Sequence, residues 1–407
     1  MDRKLTGKLK RAAVLLLCSV LLLSLAACSG KPVPEDPDTI PRRGPVVRDV
    51  ALVHEPEFGG VYITLTIDEF NALGFSYGDS VSITFSNGYE LTGIPYYNGY
   101  YTDNGEPLLI AYPGYDYIKA AINNGADLWT EAGLGETDSA DVSLEKRGAY
   151  LEIQHARDIH YTDEISDYPN ETVFANLRNI TAGRIREGVL YRSASPCDNQ
   201  HNRAPYVDRQ IRRIGIRSVV DLADTAAKID GYIGKEDFSS DYFLTLYQSG
   251  GVLPVGLNMN FESDEFRTKV ADALIWMSES DGPYLVHCTE GKDRTGFVCM
   301  LIEALCGASY REIADDYMIT YANYYKLTER SDKERYDVIV AHVLDPMIRS
   351  MAGSADADPQ SIALSVAAES FLLDSGMTAE QITALREKLT DEQTAPLHSR
   401  VLGRTPG

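Results

Sequence analysis

The sequence predicts an α/β domain, a central sheet flanked by helices, preceded by a small β-rich domain. Three observations predict it. From Phe174 onward, short apolar runs alternate with helix-period stretches, the pattern of a sheet covered on its faces by helices. Between Val50 and about Tyr161 the texture differs: short alternating runs are broken by Asn-Gly and Pro-Gly pairs, which mark strands and hairpins. Finally, the apolar run Tyr284–His287 enters a glycine-containing loop, and a long apolar helical stretch, Phe297–Leu305, leaves it.

Residues 1–27 are not part of the fold. Arg3, Lys4, Lys8, Lys10 and Arg11 form a basic start, and Ala12–Leu25 is an apolar core of signal-peptide length, too short for a comfortable bilayer span. Leu25-Ala26-Ala27-Cys28-Ser29-Gly30 then sets small residues before a cysteine, the pattern of a bacterial lipobox. Cleavage before Cys28 would leave an acylated N-terminal cysteine, and two or more chains suffice for stable anchoring. The expected location is the bacterial cell membrane, extracytoplasmic face, with the lipid as the only anchor. Plain secretion with a chance cysteine is the alternative. Residues 28–49, rich in Pro, Asp and Arg, read as an extended tether.

Residues 50–161 read as the β-rich domain, a sandwich or barrel. Val61–Leu65 and Ser80–Phe85 alternate between turn signals at Asn87-Gly88, Asn98-Gly99, Asn104-Gly105 and Pro113-Gly114. One helix is expected near Tyr117–Asn123. The dense tyrosines (Tyr96, Tyr97, Tyr100, Tyr101, Tyr112, Tyr115, Tyr117) are either a recognition surface or cross-strand packing; packing is favoured, because tyrosine is an ordinary strand residue. Residues 162–400 read as the α/β domain. Its candidate strands are Val189–Arg192, Ser218–Leu222, Tyr242–Leu246 and Tyr284–His287. Its candidate helices are Val207–Ile214, Phe266–Ser278, Arg294–Leu305 and Tyr310–Tyr321. The Arg294–Leu305 stretch is apolar almost all round and should lie buried at the centre. Thr378 should cap a closing helix that runs to Leu389.

The loop His287-Cys288-Thr289-Glu290-Gly291-Lys292-Asp293-Arg294-Thr295-Gly296 falls at a strand's C-terminal end, where open α/β sheets bind ligands. Loop N–H groups and a helix N-terminus converge there on an anion. A helix N-terminus and a guanidinium also favour thiolate over thiol, so the sulfur of Cys288 becomes a nucleophile aimed at phosphorus. Arg294 would hold two phosphate oxygens through its planar fork, which lysine cannot copy. Gly291 would let the backbone fold tightly. Thr289, Glu290, Lys292 and Thr295 complete the phosphate-binding set, Thr295 by giving its hydroxyl to the sulfur. Lys292 contacts a second charged group or is solvated. His287 is read as orienting the loop through the backbone. The leaving oxygen needs a proton. Asp293 is the nearest donor, unless it only braces Arg294 or caps the helix. Asp221 and Asp224 at a strand end, and Glu262, Asp264 and Glu265 on a segment read as mobile, are the others.

A histidine, Cys-x5-Arg and Thr-Gly in that order resemble the signature of the protein tyrosine phosphatase superfamily. The Gly-Lys-Asp-Arg-Thr-Gly form resembles the bacterial secreted and lipoprotein tyrosine phosphatases. The similarity extends to Phe174–Asn179, Gly188–Ser193, Ile214–Leu222 and Ile313–Tyr321, and covers roughly Phe174 to Thr390. It implies that the α/β domain is a phosphatase domain acting on phosphotyrosine, often on phosphoserine or phosphoinositides too. It also implies a phosphocysteine intermediate and a catalytic association for the counterpart of Asp293. Two departures stand out. The family usually has a small residue where Glu290 stands, and a further carboxylate should repel highly charged substrates. It also tends to follow Asp-Leu with arginine, where this chain has Asp221-Leu222-Ala223-Asp224. The expected partners are a phosphorylated protein or a phosphoinositide. A module that binds phosphorylated ligands without turnover and a sulfurtransferase are the rivals. The intact Cys288, Arg294 and Thr295 disfavour the first, and the Asp-Arg-Thr-Gly ending the second.

Composition is consistent with this. The chain has 407 residues, 38 Lys+Arg against 60 Asp+Glu, and a formal charge of −22, which argues against a nucleic-acid binder. No metal-ligand spacing and no cofactor are implied. Cys299 and Cys306 are seven apart on one expected helix, roughly 10 Å along it, too far to bridge, and read as buried hydrophobes. Cys197 is a plain loop thiol or an oxidation partner for Cys288.

Overall fold

The computed structural model describes residues 44–391; the expected signal segment and Cys28 lie outside them. Seven strands close a barrel. They are β1 (Val46–His54), β2 (Val61–Ile63), β3 (Ser80–Phe85), β4 (Glu90–Tyr97), β5 (Pro107–Ile110), β6 (Ile118–Ile122) and β7 (Ser139–Lys146). Their order is β1-β2-β6-β5-β4-β3-β7, with β7 returning to β1. Only β4 and β5 run parallel. Closure leaves no open edge. The alternation of β3 turns Val81, Ile83 and Phe85 into the barrel core beside Val61, Ile63 and Phe70. Phe70 stacks on Phe75 at 4.1 Å and meets Tyr96 edge-on at 5.0 Å.

Two expectations fail in this half. The stretch expected as a helix near Tyr117–Asn123 is strand β6, wedged between β2 and β5. Its alanines and lysine favour a helix, but pairing on both sides overrides propensity. Lys119 is wholly buried and ion-pairs Glu55 at 2.5 Å. Residues 46–49, expected as the end of the tether, are part of β1, where Val46 and Val47 pair Ser143 and Val142.

The α/β sheet has five strands: β8 (Arg178–Ile180), β9 (Leu190–Ser193), β10 (Ser218–Asp221), β11 (Val252–Pro254) and β12 (Tyr284–His287). Their order is β11-β10-β12-β9-β8; β8 is antiparallel to β9 and the rest are parallel. β12 is therefore central, and all four of its residues are buried. That explains its unbroken apolar text. The register sets Asp221, His287 and Ser193 side by side at three strand ends. Over one face lies the Asp293–Leu305 helix, buried from Thr295 to its last residue. Phe297 on this helix stacks with Phe261 at 5.0 Å and meets Phe266 and Phe371 at 5.1 and 5.7 Å. Ala204–Ile214 and Asp241–Gln248 cover the other face.

The strand expected at Tyr242–Leu246 is this last helix. Its aromatic residues mimic a strand. The Asp208 carboxylate accepts the N–H groups of Phe243 and Tyr242 at 2.7 and 3.3 Å, satisfying donors that a helix start leaves unpaired. Two strands have no counterpart in the expectation, β8 and β11, each three residues long. The closing helix, Ala379–Leu389, is capped by Thr378 in a box with Gln381. From Pro45 onward barrel and α/β sheet form one compact unit; Asn104 Nδ2 donates to Met259 O at 3.3 Å between them.

A Cβ on Gly296 would lie 2.5 Å from Cε2 of the buried Tyr317 ring. Gly296→Val should cost about 1–3 kcal/mol through overpacking and lower the thermal midpoint. Gly231→Ala, in a helix with nothing within 4 Å of the new methyl, should leave the midpoint unchanged or slightly raised. Thermal melts by circular dichroism check both.

Candidate active site

β12 carries Cys288 to the end of the central strand, and the Asp293–Leu305 helix begins just beyond the loop. Between them the loop carbonyls are taken from behind. Ser195 N–H donates to Thr289 O at 3.1 Å, and Tyr324 OH donates to Glu290 O at 2.6 Å. Asn176 Nδ2 donates to Glu290 O and Gly291 O at 3.2 and 3.3 Å. Arg192 Nη2 donates to Gly291 O and Lys292 O at 3.0 and 3.4 Å. Among the described residues no acceptor takes the backbone N–H of Glu290, Gly291 or Lys292. With the carbonyls engaged on one side, these donors are left for an anion on the other. Gly291 sits at φ 70°, and a Cβ there would lie 2.2 Å from Ser193 O, so only glycine lets the loop press against β9.

The bracket behind the loop is ion-paired. Asp316 accepts from Arg178 Nε at 2.8 Å and Arg192 Nη1 at 2.7 Å. Burial alone would raise its carboxyl, yet the two guanidiniums outweigh burial and hold it down at about 2. Glu303 beside it is pushed well up by burial and by the Asp316 charge. Two guanidiniums thus share the one carboxylate of Asp316 behind the loop. Asn176, Arg178, Arg192 and Tyr324 received no role from sequence reasoning. A signal existed: an arginine inside the buried strand Leu190–Ser193 must be paired.

Arg294 is held at the front. Its Nη1 donates to Leu257 O at 3.2 Å and its Nη2 to Thr289 Oγ1 at 3.3 Å, while Nε is buried without a partner. Thr295 departs from expectation: its hydroxyl is wholly buried and has no hydrogen-bond partner among the described residues, so the bond to the Cys288 sulfur is not made. His287 is wholly buried, and burial lowers it to about 4, so its ring is neutral. Its Nδ1 lies 3.4 Å from Cys288 O, the backbone contact expected of it.

The candidate proton donors separate by environment. Asp293 opens the helix with a partly exposed side chain, 3.7 Å from Lys292 Nζ. Asp221 and Asp224 are buried, and burial raises both to about 6. Asp221 Oδ1 accepts the N–H groups of Ala223 and Asp224 at 3.0 and 3.1 Å. Asp264 and Glu265 belong to the first turn of a helix capped by Ser263, not to a free segment, and Glu265 pairs Lys269 at 2.7 Å.

Two loop residues sit differently from their expected places. Glu290 does not project as a bare charge: it accepts from Tyr161 OH at 2.6 Å and pairs Lys292 Nζ at 3.1 Å. Burial pushes Glu290 up, but the Lys292 charge and the Tyr161 bond override it and hold the carboxyl at about 2. Its repulsion is thus largely absorbed. Lys292 is not solvated, because Glu290, Asp293 and Tyr325 OH surround its ammonium. Tyr161 was assigned to the preceding domain, yet its hydroxyl belongs to this site. A cavity of about 1610 Å³ opens beside the loop, with Lys292, Asp293 and Tyr325 on one wall and Tyr100, Tyr101 and Tyr112 of the barrel on the other. Cys197 is buried, with Sγ 3.7 Å from Asp221 Oδ2, and burial raises its thiol.

Parts of this chain are similar to known proteins. Residues 256–391 match the model of a tyrosine phosphatase family. A tyrosine-protein phosphatase of Nostoc commune is 40% identical over 60 residues, which are 15% of this chain and 20% of that protein. The chain thus spans about a fifth of the length of that curated relative. Among solved structures, the core catalytic domain of the PP-IP phosphatase Siw14 from S. cerevisiae aligns at 20% identity over 43% of this chain and 94% of that one, with a TM-score of 0.24. An uncharacterized conserved protein from Thermotoga maritima aligns at 19% identity over 25% of this chain and 35% of its own, with a TM-score of 0.21. The C-terminal third of this chain, which carries the Cys288 loop, is therefore similar to tyrosine phosphatases.

Proposed function

We propose that this chain is a phosphatase that cleaves phosphotyrosine esters, with dual specificity within its reach, through a phosphocysteine on Cys288. The observation that carries the reading is the cradle: amide N–H groups of residues 290–292 that no acceptor among the described residues takes, the Arg294 fork, and the Arg178 and Arg192 guanidiniums behind them. The likeness of residues 256–391 to tyrosine phosphatases supports it. In the first step the Cys288 thiolate forms a sulfur–phosphorus bond as the bond from phosphorus to the aryl oxygen breaks. The departing electron pair stays on that oxygen, which takes a proton from an acid. Water then attacks phosphorus as the deprotonated acid takes one of its protons, the sulfur–phosphorus bond breaks, and inorganic phosphate leaves with the thiolate and the acid both restored. Amide donors aimed at the equatorial oxygens stabilise the charge that develops there.

Phosphoinositides are the second reading, because the Glu290 charge is absorbed by Lys292 and Tyr161. The same pairing engages Lys292, however, and leaves no free ammonium for a second phosphate. The tyrosines that line the adjoining cavity suit an aryl group better. Leu25–Gly30 supports a lipid anchor at Cys28 on the extracytoplasmic face.

Cys288→Ser should abolish phosphate release from a phosphotyrosine peptide while the peptide still binds. Undiminished turnover by the serine form would overturn the mechanism. In the wild-type protein with EDTA present, phosphotyrosine peptide should be hydrolysed faster than phosphoserine peptide or phosphoinositide. Release from phosphoinositide alone would transfer the assignment to the second reading.

Asp293 is the proposed acid, since it faces the cavity while Asp221 and Asp224 are buried. A carboxyl raised to about 6 is protonated below that pH and loses its proton above it. If Asp221 or Asp224 supplied the proton, the rate on a poor leaving group would fall as pH rises through about 6. Profiles of Asp293→Asn, Asp221→Asn and Asp224→Asn decide this. Asp293→Asn should lose the basic limb and keep more activity on an activated aryl ester; the same behaviour in either other variant would reassign the role.

A further inference from the structure

Beside the cradle lies a second group of polar side chains that the reaction does not use. The sulfur of Cys197 and one carboxylate oxygen each of Asp221 and Asp224 lie within 4.8 Å of one another, all buried. They come from the loop after β9 and the end of β10, brought level by the sheet register. A third strand adds an independent observation. His287, at the end of β12, is wholly buried, and its Nε2 lies 3.8 Å from Asp221 Oδ2 with no hydrogen-bond partner. The tautomer follows from geometry: Nδ1 faces the carbonyl of Cys288, which only accepts, so Nδ1 carries the hydrogen and Nε2 offers a lone pair. A lone pair therefore faces a carboxylate across a buried gap. Asp224 Oδ2 is likewise buried without a partner. The one donor in the group is the Cys197 thiol, which reaches Asp221 Oδ2 at 3.7 Å; once it gives up its proton, the acceptors that converge here call for a cation between them.

We propose that Cys197, Asp221, Asp224 and His287 form a binding site for a divalent transition ion of the zinc type. One thiolate, one imidazole and two carboxylates are a borderline-soft donor set of four, which suits zinc and not magnesium or calcium. Ligand bonds of about 2.0–2.3 Å imply edges of about 3.3–3.8 Å in a tetrahedron; Cys197, Asp221 and Asp224 lie within 4.8 Å of one another and His287 outside that limit, so the side chains must draw together by about an ångström or more, His287 the most. The outer shell is already in place. Tyr232 OH donates to Asp224 Oδ1 at 3.2 Å, the N–H groups of Ala223 and Asp224 hold Asp221 Oδ1, and the Cys288 carbonyl orients His287. Cys197 and Tyr232 also line a cavity of about 230 Å³. No spacing pattern announces the site, because its ligands come from three separate segments. The ion is not a reactant in the phosphoryl transfer proposed above; it would tie together three strand ends under the loop.

The test uses the protein with Cys288→Ser, so that the reactive thiol does not compete and no turnover is needed. After removal of metal with a chelator, zinc is titrated in competition with a chromophoric chelator, and cobalt(II) is titrated by absorption spectroscopy. One equivalent should bind, and cobalt should show a sulfur-to-metal charge-transfer band together with four-coordinate ligand-field bands. Adding Cys197→Ser should remove the charge-transfer band and weaken zinc at least tenfold. Adding Asp224→Asn should weaken zinc about 10–100-fold while the band remains. Absence of stoichiometric binding, as expected if a shared proton alone fills the gap, would overturn the proposal. So would binding and a band unchanged by Cys197→Ser. Circular dichroism confirms that each variant folds, and Asp224→Asn keeps the test decisive if Cys197→Ser does not.

Discussion

Everything at this site depends on which way four carbonyl groups point. A backbone loop in water has no reason to turn its oxygens one way and its N–H groups the other. Here Ser195, Tyr324, Asn176 and Arg192 each hold an oxygen from behind, from the segment after β9, the Tyr310–Tyr325 helix, the segment before β8, and β9 itself. Among the described residues no acceptor takes the N–H groups of residues 290–292, so these donors give up no partner when an anion binds. Such preorganisation is what makes oriented dipoles effective for a charge that develops during reaction. The Asp316 bracket extends the constraint one layer further, because the guanidinium of Arg192 is itself aimed by that carboxylate.

The charge distribution follows the same plan. The chain as a whole carries −22, so its outer field disfavours anions at long range. The cradle works against that field over short distances only, through amide dipoles, Arg294 and the unequal partnership of Arg178 and Arg192 with Asp316. Glu303 lies beside this group, and burial and the Asp316 charge both push its carboxyl up, away from the ionised form. An anion that reaches the loop therefore meets a locally positive pocket in a negatively charged molecule.

Much of this was legible in the sequence, and the parts that were not share a cause. The strand Tyr284–His287, the buried helix after the loop and the central placing of the loop all follow from local text: an unbroken apolar run, a glycine, a longer apolar run. The same reasoning failed at Ile118–Ile122 and Asp241–Gln248, where the deciding partners are far away in the chain. Barrel closure between β2 and β5 made one a strand, and the carboxylate of Asp208 made the other a helix. Of the site, Cys288, Arg294 and Gly291 announced themselves by spacing. Asn176, Arg192 and Tyr324 act through contacts with the loop from more than thirty to more than a hundred residues away, and no spacing rule encodes those. Glu290 was read by its charge alone, and its neighbours changed its meaning.

The hydroxyl of Tyr161 has a consequence of its own. This residue follows the barrel's last helix and stands on the crossing from one half of the molecule to the other, yet it closes the charge circuit of Glu290 and Lys292 inside the loop. The two halves therefore cannot be traded like interchangeable parts. Any ancestor that joined them, or any engineer who exchanges the barrel for another, must carry this tyrosine along or find the acidic side chain of the loop a new companion.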